Sequence, residues 1–378
     1  MRHARAEKRQ SRRYEPVRLG IIGCGRVAVG THLPALASVE QIRVEAVADA
    51  DVAAAEHAAR RFRIPRRHRT PEELVADPAL DAVAVCVPPA AHAEYAVAAL
   101  ERGKHLFVEK PLALTLEEAD AIADAAGASS TKTTVGFNLR SHRAVREARR
   151  LIGEGEVGSV RAVSSLFNDP RLEQGDLPVW RTRGGLGGGA LMDKAIHHFD
   201  LWRFLLQDEV VDVFARASSG QREDELVAVS ARTRGDAHLT ALSSDRTSFA
   251  NELSVWGDAG SVTLDLYRVD GLERADLERL PGAPATRVRS GIASLLQLLR
   301  NVPEIRSGGA FTATYAAQWR AFADAIKFDE EPRASVADGV AALEIALAAG
   351  LSAATRESVE VETLRRRELE EPAAESRS

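Results

Sequence analysis

Cysteine is scarce in this chain: Cys24 and Cys86 are the two in 378 residues, and no CxxC spacing occurs. A disulfide framework is excluded, no zinc site is signalled, and the reducing cytoplasm is the expected compartment. No uninterrupted apolar stretch approaches the roughly 18 to 20 residues that span a bilayer, so no membrane partner is expected. Basic charge is not in excess either. The formal net charge is -5, whereas a nucleic-acid partner would call for a clustered positive surface, so none is expected. Residues 1–15, with Arg2, Arg5, Lys8, Arg9, Arg12 and Arg13, read as a disordered basic tail. The pair Arg12-Arg13 lacks the apolar segment and cleavage site of a twin-arginine signal. Internal repeats are also missing.

The chain does have 45% apolar and 28% charged residues over a length that suits two domains. Between residues 16 and 138, strand-like runs (17–22, 42–49, 82–87, 105–108, 133–137) alternate with helical patterns, which predicts a doubly wound parallel α/β domain. Pro34 should kink or shorten its first helix. From 139 to 362 the pattern changes to strands at 160–167, 210–217, 226–232, 237–243, 253–256 and 261–266. A long helix begins near Leu191, and two late helices cover 314–328 and 336–355. This predicts an α+β domain with a large, mostly antiparallel, open-faced sheet, whose free face suits a homodimer or homotetramer. Residues 272–307 show no clear pattern and read as a loop excursion; 363–378 read as a disordered tail.

Two glycine-led motifs carry the chemistry. Gly23-Cys24-Gly25-Arg26-Val27-Ala28 follows the first strand, where Gly23 permits a tight turn and Gly25 lets backbone approach a pyrophosphate. Asp49, 26 residues beyond Gly23, ends the second strand, where a carboxylate accepts from ribose hydroxyls and repels a 2'-phosphate. NAD is therefore preferred to NADP, while Asp51 suits the helix N-cap better. Val87-Pro88-Pro89 and His92 lie where the cofactor passes, and the fifth strand ends in Glu109-Lys110-Pro111. The second motif, Gly187-Gly188-Gly189, leads into a helix bearing Asp193 and His197, four residues apart and so on one face.

In order and spacing these motifs, with Asp338-Gly339 opening a late helix, resemble the glucose-fructose oxidoreductase, inositol dehydrogenase and rhizopine-catabolism family, Gfo/Idh/MocA. The resemblance runs from about Val17 to Val361. It implies that Lys110 contacts nicotinamide and substrate, and that Asp193 and His197 approach the reacting hydroxyl. Oxidising an alcohol needs a base for the hydroxyl proton, which suits His197 as acid/base, with Asp193 orienting and Lys110 anchoring the hydroxyl. Arg140, Trp180 and Arg181 match positions lining the substrate cleft of similar proteins. Gly23, Gly25, Arg26, Val27, Asp49, Pro88, His92, Glu109 and Lys110 are the expected cofactor contacts.

The sequence departs from the family at Ala195, where glycine is usual, and at Lys194, which is expected to face solvent. The substrate is expected to be a sugar, sugar derivative, polyol or ketosugar. No metal is expected, because adjacent histidines diverge on a helix. An NAD-retaining glycoside hydrolase using transient oxidation, or a nucleotide sensor without turnover, are the alternatives.

Overall fold

The computed structural model describes residues 15–170, 179–183, 186–220, 223–277, 283–302, 305 and 309–365. The expected tails lie outside these residues, apart from Glu15 and 363–365. The chain forms two compact units: 1–141 with 312–340, and 142–311 with 341–378.

In the first unit six parallel strands form a sheet: β1 (Val17–Ile22), β2 (Ile42–Ala48), β3 (Arg66–Arg67), β4 (Ala82–Val85), β5 (His105–Val108) and β6 (Thr133–Val135). Their order is β3-β2-β1-β4-β5-β6, the doubly wound arrangement whose direction reverses between β1 and β4 and leaves a ligand crevice beyond the strand ends. Continuous apolar runs explain why β1, β4 and β5 sit centrally. The two-residue, arginine-only β3 has no pattern to betray it.

A π turn (Ala28–His32) and the short helix α1 (Leu33–Leu36) follow β1. Pro34 has no N–H to close an ordinary turn, so the chain widens just before it and the helix stops after one further turn. Asp51 caps helix α2 (Val52–Phe62), accepting from Ala53 and Ala54, as expected. Thr70 with Pro71 opens α3 (Pro71–Ala76), a short turn headed by Pro89 opens α4 (His92–Glu101), and Thr115 caps α5 (Leu116–Ala128). Trp319 and Phe322 join the core around Leu19, Ile21, Ala28, Leu33 and Phe107. The segment 312–340, read from sequence with the second domain, therefore packs with the first.

The second unit begins with helix α6 (Arg143–Gly153) and holds an eight-stranded sheet. Its strands are β7 (Val160–Asn168), β8 (Val210–Ser218), β9 (Leu226–Thr233), β10 (His238–Ser244), β11 (Ala250–Gly257), β12 (Gly260–Asp265), β13 (Leu272–Asp276) and β14 (Val359–Glu360). Every neighbouring pair is antiparallel except β7 with β10. A second π turn (Leu191–Ala195) leads into helix α7 (Ile196–Leu206), which packs on β7. On the other side of the sheet, Leu242 registers with Leu166 and Glu252, and Trp256 with Ala162 and His238. Leu242 and Trp256 are exposed there.

Residues 272–307 correct the loop expectation, for they contain β13 and helix α8 (Pro284–Arg300). Edge strand β13 is held by its backbone bonds to β12 and buries no side chain, so it shows no alternation. Helix α8 is turned inside out. Ser294 donates to Asp270 and Gln297 to the Leu272 carbonyl, while Val288, Ile292, Leu295 and Leu299 stay exposed.

Helices α9 (Ala310–Phe328) and α10 (Val336–Thr355) follow. By length and composition α10 is apolar enough to cross a membrane, although Asp338 and Glu344 interrupt its apolar run. Its most apolar window has a mean hydropathy of 1.6 and is 56% buried in the fold.

Candidate active site

At the β1 end of the first unit, Gly23 has φ +93°, and a Cβ there would stand 2.5 Å from the Cys86 carbonyl oxygen. Only glycine fits. At Gly25 a Cβ would meet nothing within 4 Å, so the turn is open where backbone must approach phosphates. The helical path beginning at Ala28 points its positive end at this turn, with Arg26 exposed and Val27 partly so. Asp49 accepts from Cys24 N at 2.6 Å and Asp51 N at 2.8 Å, which holds its carboxylate beside the glycine turn. These residues fit a dinucleotide: the turn for the pyrophosphate and Asp49 for the ribose. Burial, and secondarily the Asp49 charge, pushes the Cys24 thiol up to about 12, and burial likewise raises Cys86, so neither thiol is a ready nucleophile.

At the β5 end, Lys110 and Glu109 are partly buried. Glu109 receives a hydrogen bond from His32 Nε2 at 2.8 Å and one from its neighbour's amide, Lys110 N, at 3.2 Å. Burial alone would raise the Glu109 carboxyl, but the His32 hydrogen bond and nearby positive charge, Lys110 included, outweigh it and hold it below the ordinary carboxylate value. His92 is buried, with Nδ1 2.7 Å from the Pro111 carbonyl and Nε2 3.0 Å from that of Val87. Pro88, next to Val87, is exposed.

Arg140 is buried too, donating to the Arg333 carbonyl at 2.8 Å and to Asp338 at 2.9 Å. Asp338 also forms a capping box with Ser335 at the start of α10: Ser335 N donates to its carboxylate and Asp338 N donates to the Ser335 hydroxyl. Burial would raise Asp338, yet the Arg140 charge and these hydrogen bonds bring it down to about 2.

In the second unit, the π turn and α7 carry Asp193 and His197, both partly buried. Arg181 lies 3.6 Å from the Asp193 carboxylate, and its guanidinium sits 5.2 Å from the Trp180 ring. The turn bearing both, Val179–Thr182, rests on the glycine run, for a Cβ at Gly188 would stand 2.4 Å from the Arg181 carbonyl oxygen. Glycine there thus lets the Trp180-Arg181 turn close down beside Asp193. Phe167 packs on His197 at 5.8 Å between ring centroids and stacks on His198 at 5.3 Å. His198 is fully buried, within 3.0 Å of Asn251, and desolvation lowers its pKa to about 4 in spite of that hydrogen bond.

Lys194 corrects the solvent-facing expectation: it is 3% exposed and ion-paired with the equally buried Asp245, just past β10. The wide turn carries its side chain inward, and nothing in the local pattern names Asp245 as partner. Ala195 is wholly buried. The sequence reading also passed over His32, nine residues beyond Gly23, whose partners Glu109 and Trp319 are distant in the chain.

Residues 17–137 match the oxidoreductase family with an NAD-binding Rossmann fold, and residues 145–263 match the GFO/IDH/MocA C-terminal domain. The chain belongs to the Gfo/Idh/MocA family. The inositol 2-dehydrogenase of Rhizobium meliloti (strain 1021) is 30% identical over 354 residues, 91% of this chain and 99% of its own. The myo-inositol 2-dehydrogenase of Thermotoga maritima is 25% identical, covering 92% and 99% of the two chains. A solved levoglucosan dehydrogenase, in complex with NADH and levoglucosan, superimposes with a TM-score of 0.80 at 26% identity, over 92% of this chain and 100% of that one. The protein is thus a dinucleotide-dependent oxidoreductase acting on CH–OH groups, with NAD as its cofactor.

Proposed function

We propose that this Gfo/Idh/MocA enzyme oxidises a secondary alcohol of a sugar, sugar derivative or cyclitol, or reduces the matching ketone, with His197, Asp193 and Lys110 as its catalytic residues. The observation that carries the reading is the pairing of Asp193 with Arg181 one helical turn before His197. It fixes an acidic side chain one helical turn from a partly buried imidazole, and an acid and a histidine so spaced suit general acid/base work.

In this reading His197 takes the hydroxyl proton during oxidation and returns it during reduction. Asp193 orients the substrate and stabilises the protonated imidazole. Lys110 donates to the reacting oxygen and stabilises its developing negative charge. Trp180 and Arg181 offer an aromatic face and a hydrogen-bonding fork to a polyol ring. Bound NAD supplies the hydride acceptor, held by the Gly23–Val27 turn and Asp49. Relatives named for inositol and levoglucosan support the substrate class. A cytoplasmic homo-oligomer joined through the exposed sheet face around Leu242 and Trp256 completes the proposal.

The test is net NADH formation from NAD with a panel containing myo-inositol, scyllo-inositol and levoglucosan, repeated on His197→Ala and Lys110→Ala. Loss of kcat by about 100-fold or more in each variant is the expected result. Full turnover in either variant would overturn that residue's role. A product released without net NADH would point instead to transient oxidation.

A further inference from the structure

Lys110 stands between two residues that are each gripped by a buried imidazole. The residue before it, Glu109, accepts from His32 at 2.8 Å and from the Lys110 amide at 3.2 Å. His32 is fully buried and arrives on the π turn just behind the glycine loop. Phe107, Tyr315 and Trp319 surround it, each with its ring centroid 5.5 Å away. The Trp319 indole N–H only donates, so its 3.2 Å contact makes His32 Nδ1 the acceptor and leaves a ring proton on Nε2, directed at Glu109. The residue after Lys110, Pro111, has its carbonyl 2.7 Å from Nδ1 of His92, whose other nitrogen faces the Val87 carbonyl at 3.0 Å. Gly136 closes the slot behind Glu109, where a Cβ would stand 2.7 Å from Oε1.

Leucine would fill either histidine position without the desolvation cost of a polar ring. What each imidazole adds is a directional bond to the residue on one side of Lys110. We propose that His32 and His92 are positioning residues that together hold the main chain at Lys110, anchoring it to the π turn behind the glycine loop on one side and, through the Nδ1–H of His92, to the start of α4 on the other. The proposal rests on the reading of Lys110 as the hydroxyl anchor.

Glutamine at 32 keeps an N–H where His32 Nε2 donates, and asparagine at 92 keeps one where Nδ1 donates; leucine keeps neither. The chain has six lysines (8, 104, 110, 132, 194 and 327), few enough for reductive 13C-methylation to report Lys110 by NMR, with the signal assigned by Lys110→Arg. The wild type, His32→Gln and His92→Asn are expected to show one sharp Lys110 resonance at a common shift. His32→Leu and His92→Leu are expected to broaden or split it while the far-ultraviolet circular dichroism stays that of the folded wild type. On any substrate turned over, the leucine variants are expected to lose 10- to 100-fold in kcat.

Leucine variants that keep the wild-type resonance would overturn the clamp, as would amide variants that lose it equally. Should the leucine variants not fold, Gly136→Ala displaces Glu109 without touching either imidazole and must perturb the same resonance; an unchanged signal there also overturns the clamp. Turnover retained by Lys110→Ala would instead count against the reading of Lys110, leaving the clamp to be judged by NMR.

Discussion

Asp49 spends both carboxylate oxygens on backbone amides, one in the glycine turn at Cys24 and one in its own loop at Asp51, so its carboxylate is fixed in place before any nucleotide arrives. Asp49→Asn removes that charge and should weaken NADH binding about tenfold, roughly 1.4 kcal/mol, while narrowing the preference over NADPH. Paired fluorescence titrations measure this, and an unchanged preference would remove Asp49 as the ribose clamp.

Two other residues make stability depend on pH. Burial brings both His142 and His198 down to about 4, in the case of His142 with help from the Arg143 charge. Each ring is neutral in the fold but titrates near 6.5 when unfolded, so the unfolded chain binds more protons in between. Their contribution is fully present above pH 6.5 and is lost as pH falls towards 4, on the order of 3 kcal/mol for each ring. Urea unfolding at pH 7.5 and pH 5 should show the lower stability at pH 5; equal values would contradict the buried neutral rings.

Among the elements, the π turn of 191–195 is where local pattern and tertiary packing disagree most. A lysine beside an acid on an amphipathic stretch reads as solvated, but Lys194 is enclosed with Asp245. Lys194→Met strands a buried carboxylate and should cost about 3 to 5 kcal/mol, while Lys194→Met with Asp245→Leu should recover most of it. Thermal unfolding of the two variants decides this, and a double variant no more stable than the single would show that the pair is not the source.

Helix α8 teaches a similar lesson with the sign reversed. Its apolar residues do fall at helical spacing, which the loop reading of 272–307 missed, and it meets the fold through Ser294 and Gln297, so that periodicity would not have revealed which side packs. Asp338 was legible only in part. Its place at the start of a helix follows from the Ser335 spacing, but its partner Arg140 lies 198 residues away.

At the scale of the whole molecule, the exposed face carrying Leu242, Trp256 and their register neighbours is the proposed contact between copies. Leu242→Glu with Trp256→Glu should shift the mass in solution from dimer or tetramer to monomer, and light scattering behind size exclusion measures it. An unchanged mass would move the contact elsewhere, and a monomeric wild type would remove it.

Sequence by itself determined the doubly wound sheet, the antiparallel sheet, the glycine turn with Asp49, and the placing of Asp193 and His197 four residues apart on one helical path. Each is written in short-range periodicity or in spacings of a few residues, where backbone geometry alone relates sequence distance to space. Tertiary structure decided that 312–340 returns to the first unit, that Lys194 is buried, and that His32, Glu109 and Trp319 form one chain of hydrogen bonds. His32 lies 77 residues from Glu109 and 287 from Trp319. No local rule joins them; they meet because the parallel crossovers bring the carboxyl ends of β1 and β5 to the same end of the sheet, and because Trp319 needs a core to bury in.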